Sequence, residues 1–254
     1  SLLAHGADPN ARSSYTNQTC YESALLAGHS EAVQILLEHG ASAVPLAGRD
    51  AFFAACARHD AAEAPRLLQG HREYLEHAQP LIDAASAGRR DTVELLLKLG
   101  MDPNREGVHG HRALHVAAAD LSMCELLRAY GADPRSRCFG GTVQGWAQHA
   151  GNLHAARHHA EHSRSLLDAA ASGHVALARE LLEADPQCVR EQSPGGDTAL
   201  HELPADEDAA QQLIALLLAA GADSAARNRA RQTPAEKLEA RGLDQIADLL
   251  ESAR

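Results

Sequence analysis

The 254-residue sequence predicts an all-α fold, a solenoid of stacked antiparallel helix pairs with short β-hairpin or loop fingers. Three observations predict it. A leucine pair closed by a glycine turn recurs as LLAHGADPN (2–10), LLEHGASAV (36–44), LLKLGMDPN (96–104), LLRAYGADPR (126–135) and LLLAAGADSA (216–225). The recurrences close helical patterns, as in HSEAVQILLEHG at 29–40, where Val33, Ile35, Leu36 and Leu37 form one broad apolar stripe. Apolar residues make up 45% of the chain and aromatics only 3%, which suits many small contacts between helices. Sparse Val, Ile and Thr argue against an extensive sheet.

Each unit opens on a capping residue. Thr19, Asp50, Thr142, Thr198 and Thr233 are the expected N-caps, because their side-chain oxygens can accept from free amides of a first turn. Pro80 and Pro234 suit that first turn, where no amide hydrogen is needed. A short alanine-rich helix follows, then a hinge at Gly28–His29, Gly88–Arg89, Gly151–Asn152, Gly173–His174 or Gly242–Leu243. The longer helix comes next and ends on a glycine such as Gly40. Unit starts fall at 19, 50, 79, 112, 142, 164, 198 and 233, a spacing of about 31 residues. One such pair cannot bury both its faces, so stacking against neighbours must make the core.

Residues 1–10 read as the tail of a truncated repeat, with further repeats or another domain expected upstream. Residues 11–254 read as one domain of about eight units, degenerate around 140–170. A capping repeat spans 227–254, with Asp244, Gln245, Asp248 and Glu251 around Ile246, Leu249 and Leu250 as a polar outer face.

The units resemble ankyrin repeats. The matching residues are TALH (198–201), RALHVAA (112–118), QTP (232–234), AGHSEAVQILLEHGA (27–41) and GADPN (6–10). The resemblance covers nearly the whole chain and implies an L-shaped stack with projecting fingers. It also implies that His115 and His201 tie a loop to its neighbour. Some units depart from the pattern. The fourth lacks its glycine–histidine hinge (AAADLSMCELL), and the second and third lack recognisable fingers. The fifth places His159 and Ala160 where paired leucines are expected, and Thr142 to Arg164 leaves no room for a finger. A bend or weak seam is therefore expected near 155–170, with the His159 ring bonded to a backbone carbonyl.

Composition narrows function. A net charge of −11 repels phosphate backbones and anionic lipid, so neither nucleic acid nor a membrane is an expected partner. Sixteen histidines can add positive charge near pH 6. Five scattered cysteines without a CxxC pair read as reduced thiols of a cytoplasmic protein. CFGGT at 138–142 lacks the lysine and spacing of a phosphate loop, and HELP at 201–204 lacks the second histidine of a zinc-protease motif. His154, His158 and His162 recur at helical spacing and could bind zinc or nickel, but no carboxylate or cysteine completes a set. They read as an exposed helix face. No metal, cofactor or catalytic residue is expected.

A binding surface remains. Carried over from the resemblance, the finger tips are Tyr15 and Thr16, Val108 and His109, Cys138 and Phe139, and Arg229 and Ala230. The short-helix face would present Arg58, Ser86, Asp120, His149 and Ser172. Arg135 and Arg137 flank Phe139, and an aromatic beside arginines is what binding hot spots favour. The sequence leaves open whether Phe139 instead folds back on its own hairpin. Trp146, at a short-helix leucine position, reads as core. The expected function is a monomeric, non-catalytic scaffold that binds another protein. The alternative is the targeting region of a larger enzyme or effector whose catalytic domain lies upstream.

Overall fold

The computed structural model describes residues 3–253 apart from Tyr15, His109 and Gly140. It is mostly helical, and its only sheet among the described residues is one two-stranded hairpin. The chain divides into two compact units, residues 1–113 with 129–132, and residues 114–128 with 133–254.

The first unit contains α1 (Cys20–Leu26), α2 (Ser30–Glu38), α3 (Gly48–Ala57), α4 (Glu63–Leu68), α5 (Gln79–Ser86) and α6 (Arg90–Lys98). Consecutive helices pack as pairs, and α3 also packs on α1 and α6. Thr19 caps α1 as predicted, in a reciprocal bond with Glu22. Asp50 does not cap α3. That helix starts two residues earlier at Gly48, which leaves Asp50 in the first turn beside the positive end of the helix dipole. The α1–α2 hinge needs glycine for two reasons. Gly28 has φ +69, and a Cβ there would lie 2.6 Å from the Ala57 carbonyl oxygen. In the α3–α4 pair, His59 holds positive φ instead.

The second unit contains α7 (Ala113–Val116), α8 (Leu121–Ala129), the hairpin β1 (Arg137–Cys138) with β2 (Gly141–Thr142), α9 (Val143–His149) and α10 (Leu153–Ser163). After these come α11 (Leu166–Ala171), α12 (Val175–Ala184), α13 (Glu207–Ala219), α14 (Pro234–Ala240) and α15 (Asp244–Ser252). In the hairpin, Arg137 pairs with Thr142 and Cys138 with Gly141. One apolar cluster runs from Ala160 through Leu177, Leu200 and Leu213 to Leu250. Without a glycine hinge, α7 and α8 join through a turn in which the Asp120 amide donates to the Ala117 carbonyl at 2.7 Å. Ser165, not Arg164, caps α11, because Arg164 takes the left-handed conformation that ends α10. The expected short helix after Thr198 shrinks to a 3-10 turn, Ala199–Glu202. Pro204 lies just beyond and cannot continue a helix.

The alanines of α10 do not leave a hollow. Ala155, Ala156 and Ala160 are fully buried, and α10 packs on both α9 and α11. His159 is buried as well, and its Nε2 lies 2.8 Å from the Ala118 carbonyl oxygen, the bond expected from sequence.

Candidate interaction surfaces

Several short helices are preceded by a chain segment that turns back on itself. Backbone amides close these turns from Ser13 to Gln18 (2.9 Å), Gly107 to His111 (2.8 Å), Ser193 to Asp197 (2.9 Å) and Asn228 to Gln232 (3.0 Å). The hairpin at 137–142 is a fifth. Two buried histidines fasten such turns. His115 Nε2 lies 3.1 Å from the Ser136 carbonyl oxygen. His201 Nδ1 accepts from the Thr198 amide, so its Nε2–H donates to the Gln232 carbonyl at 3.1 Å. Burial holds the His201 imidazole below its ordinary pKa, which keeps that tautomer neutral.

The predicted tips fare differently. Phe139 is 72% exposed and Val108 80%, so both offer apolar surface. Phe139 also has φ +51, a conformation that favours glycine. Cys138 is buried and belongs to the hairpin base, where its carbonyl accepts from Trp146 Nε1 at 3.4 Å. Trp146 is accordingly half-buried, with its ring edge-on to His115, rather than fully in the core. Arg229 and Ala230 are exposed, and the Arg229 amide donates to the Gly195 carbonyl, tying that turn to 193–197. Tyr15 and His109 lie outside the described residues.

On the short-helix face, Arg58, Ser86 and His149 are exposed. Asp120 is exposed too, but one carboxylate oxygen accepts from the Met123 amide at 3.1 Å and caps α8. Ser172 is buried and is not part of a surface. Its hydroxyl donates to the Asp168 carbonyl at 2.7 Å, which closes the end of α11.

Two hollows organise what is exposed. In the first unit a cleft of about 680 Å³ opens between α1, α3, α5 and the start of α6. Thr16 and Val108, both predicted tips, stand on its edge. Phe53, Cys56, Ala57 and Leu96 form an apolar floor, and Asp50, Asp83 and Arg89 supply polar groups. Burial pushes the Cys56 thiol up to about 12, so it stays protonated and is no nucleophile. Sequence reading assigns Arg89 to a hinge and passes over the cleft. The available signal is that arginine stands where other hinges carry histidine, as at His29 and His174.

In the second unit a polar hollow of about 300 Å³ gathers Arg135, Arg137 and Arg164 near the hairpin that carries the exposed Phe139. Arg135 Nε donates to the Ser163 carbonyl at 2.8 Å, and Arg164 pairs with Glu180 at 2.8 Å. Burial raises the Asp168 carboxyl of this hollow, against the downward pull of hydrogen bonds from Ser163 and Thr142.

Among the predicted metal trio, the His158 and His162 rings lie with centroids 4.5 Å apart at a tilt of 53°, and His162 Nδ1 bonds the His158 carbonyl. His154 is exposed. Among the described residues no three His, Cys, Asp or Glu side chains converge as a metal site, and no helix is long and apolar enough to cross a membrane.

Residues 52–138 match the family model for ankyrin repeats, in three copies. The match runs from α3 to β1. No curated protein matches the sequence.

Proposed function

We propose that this ankyrin repeat protein is a non-catalytic scaffold that binds another protein through finger tips and the short-helix face. Ankyrin repeats are in general protein–protein interaction modules. On this reading the helix pairs of residues 11–254 form one solenoid of about eight units, monomeric and cytoplasmic, and the closed turns before the short helices are its fingers. The observation that carries the proposal is the cleft of about 680 Å³, floored by apolar side chains and edged by Thr16 and Val108. A concave apolar surface with a few polar groups is what a partner's side chains can fill. The Phe139 finger, with Arg135 and Arg137 at its base, offers a second contact.

The test is capture from native lysate followed by mass spectrometry, with wild type beside a Phe139→Ala/Arg137→Ala double variant. A protein retained by wild type should bind the variant more weakly by about 2 kcal/mol, roughly thirtyfold in Kd, as hot-spot truncations do. Because the Phe139 ring is exposed, thermal stability should stay near wild type. Undiminished affinity would move the contact off this finger.

A further inference from the structure

The cleft of the first unit holds a cation that its own surroundings do not neutralise. Arg89 enters from the hinge before α6 and donates through its guanidinium to the Ala27 carbonyl of the α1–α2 hinge. Its Nε is buried and finds no acceptor among the described residues. No carboxylate among them lies within 4.0 Å of it. The two acids that share the cleft are engaged elsewhere. Asp50 faces Arg49 at 3.6 Å, and Asp83 accepts from Gln79 Nε2 at 2.7 Å.

This arrangement is unusual on physical grounds. A buried donor normally has a partner, and Arg89 is partly exposed with its Nε buried and unmatched. The chain has 34 acidic residues against 23 basic ones, so a carboxylate would have been easy to supply here. Five N–H donors in a planar fork match a carboxylate in two-point contact, which leaves donors on Arg89 that one backbone carbonyl does not fill. Beside the fork the cleft is lined by Leu26 and Ala57, both partly exposed, over the buried Phe53.

We propose that the cleft takes a partner segment carrying an aspartate or glutamate next to an apolar side chain. The carboxylate pairs with Arg89 and the apolar side chain rests on the partly exposed Leu26 and Ala57. This rests on the reading of the chain as a partner-binding scaffold and names the chemistry of that partner. A doubly charged phosphate fits less well, because Asp50 and Asp83 face the same space. At about 680 Å³ the cleft has room for several side chains, more than a lone small acid needs.

The test pans a random-peptide display library on the whole chain. Recovered peptides should pair Asp or Glu with an apolar neighbour, and the most enriched one is then synthesised. Its acid-to-amide version should bind wild type at least tenfold more weakly. Arg89→Gln should weaken the parent peptide by a similar factor, and the two changes together should cost little more than either alone. Arg89→Lys should recover part of the loss, since it restores charge without the fork. If Arg89→Gln unfolds in a thermal melt, the peptide-side change on wild type decides the matter.

The outcomes separate two failures. Peptides enriched without acid, or fully additive losses, would overturn the Arg89 pairing and leave the partner-binding reading standing. Failure to enrich any peptide would overturn the cleft as a partner site. N-acetyl-phenylalanine bound as tightly as the peptide would overturn the assignment to a peptide segment.

Discussion

Acidification should loosen the second unit through one histidine. His159 is 3% exposed. Its Nε2–H donates to the Ala118 carbonyl at 2.8 Å, and Nδ1 faces Arg128 at 3.3 Å. That geometry suits only the neutral ring, because a proton on Nδ1 would point at the guanidinium's own N–H. Burial lowers the pKa from 6.5 to about 4, against an upward pull from the Ala118 bond, and Arg128, His158 and His162 depress it further. The unfolded chain therefore binds the proton first as pH falls. Stability is full above the unfolded value near 6.5, declines below it, and stops declining near 4. Between pH 7 and pH 5 the loss from this residue comes to about 2 kcal/mol. His158, also lowered chiefly by burial, adds in the same direction. The assay is urea unfolding at both pH values, followed by fluorescence of Trp146, the only tryptophan, which lies in this unit. His159→Gln can keep both bonds but cannot titrate, so its loss should be smaller by about 2 kcal/mol. Equal pH dependence in the two proteins would show that His159 is not held neutral and would refute the reasoning.

Two further predictions concern local structure. Gly28→Ala should cost roughly 2–3 kcal/mol in urea unfolding, whereas Gly40→Ala should cost about 1 kcal/mol. Both glycines have positive φ, but only the new Cβ at 28 meets backbone, and equal costs would deny that contact. Thr233→Ala removes a capping box in which the Thr233 and Glu236 amides are both satisfied by side chains, at 2.8 and 3.3 Å. It should cost about 1 kcal/mol, with faster hydrogen exchange in α14; unchanged protection would show that the cap contributes nothing.

Repeat logic made much of the local architecture legible. Hinge glycines at 28, 88, 151, 173 and 242 all carry positive φ, and Thr19, Thr142 and Thr233 cap their helices. These features need only a few neighbouring residues, so a single sequence displays them. The misses arise where tertiary context overrides local preference. Asp50 yields the cap because α3 extends backward to Gly48. Ser172 looks like an exposed polar helix residue, yet its hydroxyl bonds its own helix and lets it be buried. The turn at 193–197 escaped although Ser193-Pro194-Gly195-Gly196-Asp197 is a strong turn signal. The cleft was not legible, because it is a gap among helices distant in sequence and no residue pattern encodes a gap.

The departures from the repeat pattern also sort themselves by what answers them. His159 replaces a leucine, and the structure compensates fully with one carbonyl and one guanidinium, so the departure is structural. Arg89 replaces a hinge histidine and receives one carbonyl for a fork of five donors, with its Nε buried. Phe139 departs twice, in a backbone conformation that favours glycine and in a ring left 72% exposed. A buried donor that the free protein leaves unmatched is tolerated where another molecule completes the contact, since the cost is recovered on binding. On the proposed reading Arg89 and Phe139 meet the partner while His159 serves the fold, and substitutions at the three should separate accordingly: affinity should fall at the first two and pH-dependent stability should change at the third.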